Sequence, residues 1–313
     1  MKEDKNIIPV FFAVDDQYIP CLAVALLSLI ENSSKRNKYE IKILYTNVSK
    51  ENQNKIISYK TNNVSIEFVD VNNSINEIKD KLYTRDYFSQ TTYFRLFIPE
   101  LYPEYKKALY LDSDIVCLSD VADLYNTDME DNLIVATSDG AVQELPIFQE
   151  YVEKVIGVAD YNNYFNAGII LMNLDELRKF KFEEKFLHLL QTVKYPVAQD
   201  QDYLNRLCKG RVKIVPDTWD RMALRGDNIP REELHIIHYN MANKPWHSDD
   251  VLYSEYFWDY AKKTEFYDKL QEMKRNYTEE DRKKDAEVGK KLVILAKYEA
   301  DCVGDDRKLV EKI

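Results

Sequence analysis

The sequence predicts an α/β protein built on a mostly parallel central sheet and followed by a C-terminal helical extension. Short apolar runs of strand length alternate with helical segments, as connections between parallel strands require. Several of these runs end abruptly in carboxylates. Residues 7–14 meet Asp15 and Asp16, residues 108–111 meet Asp112 and Asp114, and residues 133–137 run out just before Asp139. In an open α/β sheet ligands bind beyond the carboxyl ends of the strands, so chemistry is expected at these tips.

With 313 residues, 45% hydrophobic and 31% charged, the chain is long enough for one large α/β domain with additions or for two domains. Its net charge of -11 argues against a nucleic-acid partner, because that binding is driven by clustered Lys and Arg. A phosphorylated substrate would need a bridging cation. None of the seven glycines forms a Gly-x-Gly-x-x-Gly or Walker-type loop, so the usual backbone cradles for phosphate are missing. Cys21, Cys117, Cys208 and Cys302 are widely spaced, and reduced thiols in a cytoplasmic setting are expected. Residues 7–14 are too short and end too acidic for a signal peptide, and residues 22–30 fall far below the roughly 20 needed to span a bilayer.

Taken in order, residues 7–14 read as a central strand that tolerates Pro9 only near its start. Pro20 opens a helix with Leu22, Ala25, Leu26 and Leu29 on one face. A strand at 40–45, a polar helix at 50–60 and a strand at 64–71 follow. Residues 91–101 read as one helix, with Tyr93, Phe94, Phe97 and Leu101 around Arg95, which reads equally well as a surface arginine. Residues 107–114, with the strand 108–111 and its two aspartates, give way to an irregular acidic stretch, and a further strand occupies 133–137. Asn166 and Gly168 have the residue types of a turn and lead into a strand at 169–173. Helices are expected around 174–192 and again from Gln199, where Asp200 reads as a helix cap as readily as a ligand. Late strands at 212–215 and 235–239 precede a loop, 238–246, that holds an imidazole, an ammonium and an indole. From Tyr253 the chain reads helical and charged, giving a domain over 1–250 and an extension over 251–313. Val288, Leu292 and Leu295 form a stripe that reads as a packing face and not a lipid anchor.

Asp112 and Asp114 carry the sharpest signal. In extended chain, residues two apart point to the same side, so the two carboxylates face one point and repel unless a cation lies between them. Oxygen ligands of this kind suit a hard divalent ion such as Mg²⁺ or Mn²⁺. Ile115, Val116 and Leu118 resume the apolar character directly afterwards, and carboxylates wedged between buried stretches need a partner.

Five ordered motifs make the chain resemble glycosyltransferase family 8, the group of bacterial lipopolysaccharide galactosyltransferases and glucosyltransferases and, more distantly, glycogenin. They are Phe12-Ala13-Val14-Asp15-Asp16; Tyr93-Phe94-Arg95; Leu111-Asp112-Ser113-Asp114; Tyr164-Phe165-Asn166-Ala167-Gly168 with Gln199-Asp200-Gln201-Asp202; and His238 with Lys244-Pro245-Trp246. The likeness implies a GT-A fold and transfer of a hexose, galactose or glucose, from a UDP-sugar to a glycan or glycolipid acceptor with retention of configuration. By the same likeness Ala13 and Asp15 would hold the uracil, and Arg95 the donor's phosphate or sugar. Asp112, Asp114 and His238 would ligate the metal, with Ser113 beside them in the donor site. Asp139, Asn166, Ala167, Asp200 and Gln201 would line the donor sugar, and Lys244 would neutralise the diphosphate. The imidazole favours Mn²⁺ over Mg²⁺.

Gln201 is a poor nucleophile, so a covalent intermediate would need Asp139, Asp200 or Asp202; attack by the acceptor from the leaving-group side is preferred. Loop 238–246 is expected to act as a lid whose Lys244 stays solvated until a diphosphate binds. Met241 stands where many members carry glycine. The tail lacks the excess of Lys and Arg found in membrane-bound members, so contact with the inner face of the membrane is expected to be peripheral and weak. Oligomeric state has no signal in the sequence. Two rival readings are a haloacid-dehalogenase-like phosphatase, with Gly304-Asp305-Asp306 as its second acidic motif, and a non-catalytic sugar-binding scaffold using some of the 23 tyrosines.

Overall fold

The computed structural model describes residues 6–75, 82, 90–223 and 229–302. Their strands are β1 (Ile7–Ala13), β2 (Lys38–Tyr45), β3 (Val64–Asp70), β4 (Lys107–Leu111), β5 (Ile115–Cys117), β6 (Ile134–Ala136), β7 (Ile169–Asn173), β8 (Val212–Ile214), β9 (Arg221–Met222) and β10 (Ile236–His238). Seven form one sheet in the order β3-β2-β1-β4-β7-β6-β8, and β5-β10-β9 form a second.

The large sheet is mostly parallel, as the alternating sequence requires: β1 pairs in parallel with β2 and β4, β2 with β3, and β6 with β8. Its central strands β1, β4 and β7 are almost wholly buried because both faces are covered, whereas β2 and β3, toward the edge, carry the Lys42–Glu67 ion pair. Ile8, Val10, Phe12, Leu109 and Leu111 pack into one core layer with Leu22, Ala25, Leu26 and Leu29 of the Ile19–Asn32 helix. Phe11, Ala13, Ala108 and Tyr110 enter the opposite layer. β1 pairs with β4 only at Val10 and Phe11, so the missing N–H of Pro9 falls outside that ladder.

Three departures from the sequence expectation position the site. β7 runs antiparallel to both neighbours, so it begins at the edge where β4 ends, with Ile169 opposite Leu111. Its entry turn, Asn166 to Gly168, is thereby delivered beside Asp112, whose N–H donates to the Gly168 carbonyl at 2.7 Å. The strand expected over 108–111 ends at Leu111, but the apolar residues that follow the aspartates form β5 in the second sheet, opposite His238 of β10. The expected helix at 91–101 is a 3-10 stretch, Gln90–Phe97, followed by a short α-helix, Ile98–Leu101. Pro99 has no N–H to donate and fits only the first turn of an α-helix, which therefore starts at Ile98.

The helices Ser254–Ala261, Tyr267–Asn276 and Glu279–Asp301 complete the described chain. Phe257, Ala261 and Leu270 pack with Val24 and Trp246. The last helix opens with a capping box between Thr278 and Asp281 and buries Leu292, Ala296 and Ala300, with Val288 and Leu295 against the same core. Gly304, Asp305 and Asp306 lie outside the described residues. No described helix is long and apolar enough to cross a membrane.

Candidate active site

A cavity opens at the carboxyl edge of β1 and β4. It is lined by Ala13, Asp15, Arg95, Asp112, Ser113, Asp114, Asp139, Asn166, Ala167, Asp200, Gln201, His238 and Lys244. Of the residues expected to form the donor, metal or catalytic site, only Asp202 is missing from that lining.

Asp112, Asp114 and His238 offer ligand atoms that all lie within 4.8 Å of one another. His238 Nε2 stands 3.4 Å from Asp114 Oδ1 and 3.9 Å from Asp112 Oδ2, while its Nδ1 meets Asp220 Oδ1 at 2.9 Å. The pairing of β10 with β5 places the imidazole over the bend between β4 and β5. Gly168 leaves room for it: a Cβ there would stand 2.4 Å from His238 Cε1 and 2.8 Å from Asp112 Oδ2. Two carboxylates and an imidazole converging in a buried pocket fit a divalent transition-metal ion.

The charges point the same way. Burial pushes the Asp112 carboxyl up; Arg95 opposes this, and repulsion from Asp114 adds to it. For Asp114 burial is outweighed by Lys244 and His238, which hold it well below the usual carboxylate range. Burial works against an imidazolium at His238, yet Asp220 and Asp114 push it well above its ordinary value. Negative charge is concentrated at this point, which is the field a divalent cation would meet.

Arg95 is no surface residue: it is 2% exposed. Its guanidinium lies 4.3 Å over the Tyr110 ring, pairs with Asp112 at 3.1 Å and Asp200 at 3.2 Å, and donates to the carbonyls of Thr92 and Ala167. A buried cation held by two carboxylates fixes both of them. Asp200 is thus an ion-pair partner and not a helix cap, since the N-cap of the Gln199–Cys208 helix is Ala198. Burial pushes the Asp200 carboxyl up to about 6.

Asp139 and Asp15 both cap the element that follows them and still line the cavity. Asp139 Oδ1 accepts from the N–H groups of Ala141 and Val142, and Oδ2 accepts from Asn166 Nδ2 at 2.9 Å and Gln201 Nε2 at 3.1 Å. Gln201 Oε1 in turn accepts from the Ala167 N–H at 2.9 Å. Asp202 lies behind this layer. It accepts from Tyr164 Oη at 2.6 Å, Tyr151 Oη at 2.8 Å and the Ala198 N–H at 2.9 Å. With both oxygens engaged and no place in the lining, Asp202 does not present a nucleophile to the cavity.

The solvated Lys244 expected from sequence is corrected. It is 3% exposed, donating to Asp114 Oδ2 at 2.6 Å and to the Tyr239 carbonyl at 2.9 Å. The Tyr239 N–H donates to the Asp114 carbonyl, which draws the loop against the carboxylate, and a buried ammonium needs such a counter-charge. Trp246 is buried against Phe257. Met241 lines the cavity with φ at +53°.

Sequence reasoning missed Asp220, Tyr110 and Leu292. Leu292 reaches the cavity from the last helix. Asp220 sits between β8 and β9 with no periodic element around it, so nothing local marked it.

A mostly parallel nucleotide-binding-type sheet, with paired aspartates bent toward a histidine from a second small sheet, defines a glycosyltransferase of the GT-A fold. The chain belongs to glycosyltransferase family 8, whose family profile, Glycosyl transferase family 8, matches residues 9–250. It is 30% identical over 249 residues to a putative glycosyltransferase of Haemophilus influenzae, covering 76% of this chain and 72% of that one. The lipopolysaccharide 1,2-glucosyltransferase of Escherichia coli is 25% identical over 264 residues, with 76% and 72% covered. Among solved structures, the galactosyltransferase LgtC in complex with donor and acceptor sugar analogs superposes with a TM-score of 0.67 at 27% identity, covering 82% of this chain and 96% of that one. The bifunctional glycosyltransferase WbbM gives a TM-score of 0.75 at 26% identity; 87% of this chain is covered, but only 52% of WbbM. The phosphatase alternative gives way to this family.

Proposed function

We propose that the protein is a retaining, metal-dependent hexosyltransferase that moves galactose or glucose from a UDP-sugar to a glycan or glycolipid acceptor. It would act in the cytoplasm, with at most peripheral contact at the inner face of the membrane. The observation that carries the reading is the convergence of Asp112, Asp114 and His238 in a cavity bordered by Asp15 and by the Asp139–Asn166–Gln201 layer. The E. coli lipopolysaccharide glucosyltransferase and the galactosyltransferase LgtC support a hexose donor.

A divalent ion held by Asp112, Asp114 and His238, Mn²⁺ in preference to Mg²⁺, would offset the charge that grows on the departing diphosphate. Ala13 and Asp15 would bind the base, and Ser113 would contribute to the donor site. Lys244, held at Asp114, adds the chain's own cation beside the metal ligands. Arg95 orients Asp112 and Asp200. Asn166, Ala167 and Gln201 form a layer of fixed dipoles against which the donor sugar would rest.

The disposition of the carboxylates favours front-side attack by the acceptor hydroxyl. Asp139 is engaged at both oxygens, Asp200 is paired with Arg95, and Asp202 stands outside the lining. No described candidate offers a free carboxylate for a covalent sugar.

Calorimetry with UDP, GDP and ADP in Mn²⁺ tests the donor assignment, and a screen of nucleotide sugars for slow hydrolysis without acceptor tests the chemistry. UDP is expected to bind in preference, with Asp15→Ala weakening it, and Asp114→Ala is expected to abolish hydrolysis. Full activity in EDTA would overturn the metal assignment, and failure to bind both Mn²⁺ and UDP would restore the scaffold reading.

A further inference from the structure

We infer that Asp220 is the positioning residue of the metal site, holding the His238 ring so that Nε2 faces Asp112 and Asp114. The inference rests on the proposed reading of that trio as a metal centre. Asp220 Oδ1 lies 2.9 Å from His238 Nδ1, and the Asp220 side chain is wholly buried. An imidazole has two nitrogens, and here each faces a carboxylate: Nδ1 faces Asp220, and Nε2 faces Asp114 at 3.4 Å. A carboxylate accepts but does not donate, so Asp220 keeps the proton on Nδ1, and Nε2, the nitrogen that faces Asp112 and Asp114, is the one that can give up its proton and offer its lone pair when a metal binds.

The backbone gives Asp220 little freedom. Its N–H donates to the Asp217 carbonyl at 2.9 Å, closing the Asp217–Trp219 turn, and the Trp219 ring stacks on His235 at 4.1 Å. The next residue, Arg221, begins β9, which pairs in parallel with β10 so that Met222 lies beside His238. The histidine and its partner are therefore set by one strand register.

A second observation separates this contact from ordinary packing. Asp220 Oδ2 is buried with no hydrogen-bond partner. A neutral acceptor would orient the ring as well without leaving an oxygen unsatisfied, so the feature that the carboxylate adds is its charge. A carboxylate behind a ligating histidine fixes the tautomer and raises the basicity of the ligating nitrogen, and its removal typically lowers metal affinity 10- to 100-fold.

The test measures Mn²⁺ and Mg²⁺ binding to the full chain by calorimetry, with UDP present, for the parent, Asp220→Ala and Asp220→Asn. The ¹⁵N signals of His238 are recorded on the metal-free proteins. Asp220→Ala is expected to weaken Mn²⁺ binding about 10- to 100-fold, to weaken Mg²⁺ binding less because Mg²⁺ relies less on imidazole, and to shift the His238 ring ¹⁵N signals. Asp220→Asn, nearly the same shape, is expected to fall between and decides the matter if the alanine variant does not fold. A general loosening of structure would weaken both ions alike, and that result would overturn the inference, as would Mn²⁺ affinity in Asp220→Asn equal to the parent's. If the parent binds neither ion, the metal reading fails and takes this inference with it; if the parent binds and the variants match it, the inference alone fails.

Discussion

Gly168 passes so close under His238 that a single added carbon would stand 2.4 Å from the imidazole Cε1. The same carbon would press on Asp112 Oδ2 at 2.8 Å, so two of the three metal-facing groups would have to move. Gly168→Ala is expected to lower Mn²⁺ affinity at least tenfold. Overpacking of this kind also costs about 1–3 kcal/mol of stability. Metal titration and chemical denaturation of the purified variant measure both effects, and unchanged affinity would show that the ring can shift freely.

Lys244 and Asp114 should matter before any ligand arrives. Removing one partner of a buried pair leaves an uncompensated charge, at a cost of about 3–5 kcal/mol. Lys244→Met is therefore expected to show a large loss in urea unfolding without metal or nucleotide. A solvated lysine would predict almost none, so the experiment discriminates between the lid reading and the structure. Turnover should also fall, since the cation beside the metal ligands is gone.

Asp202 gives a pH signature. Burial pushes its carboxyl up from 3.8 to about 6, despite hydrogen bonds from Tyr164, Ala198 and Tyr151. A raised folded value means that the folded state binds the extra proton. The stability this contributes is fully present below 3.8 and is lost as pH rises through about 6. Between those limits the parent should lose stability relative to Asp202→Asn. Paired denaturation curves across that range check the sign, and ¹³C titration of the carboxyl checks the value. A midpoint near 3.8 would mean that the three donors fully offset burial.

Met241 occupies the left-handed region, where a side chain is strained and glycine is not. Met241→Gly is expected to raise stability by up to about 1 kcal/mol, less the apolar contact that the side chain makes with the cavity wall. Thermal unfolding measures the difference. A clear loss would show that the methionine's packing outweighs the strain.

Much of the large sheet was legible because its signals are local. The apolar runs of β1 and β4 and the carboxylates at their tips lie in consecutive residues, and Asp112, Asp114 and His238 stand in motifs that agree in order. The direction of β7 was not legible, since its four apolar residues read the same whichever way the strand runs. Nor was the transfer of residues 115–117 to a second sheet, because pairing with β10 is set by residues far along the chain. Arg95 reads equally well as a surface cation for the same reason: its partners Asp112 and Asp200 come from other elements. Asp220 and the Lys244–Asp114 pair exist only once those long-range pairings are made.

The bend at Asp112 to Asp114 also has a mechanical meaning. Leu111 belongs to the large sheet, Ile115 to the small one, and His238 reaches the bend from the small sheet's middle strand. A ligand gripped by both aspartates and the histidine would act as a rivet through the joint, stiffening the small sheet against the large. Stripping it with a chelator should then be felt away from the chemistry, as faster amide exchange in Ile115–Cys117 and Ile236–His238 while Ile7–Ala13 and Lys38–Tyr45 keep their protection.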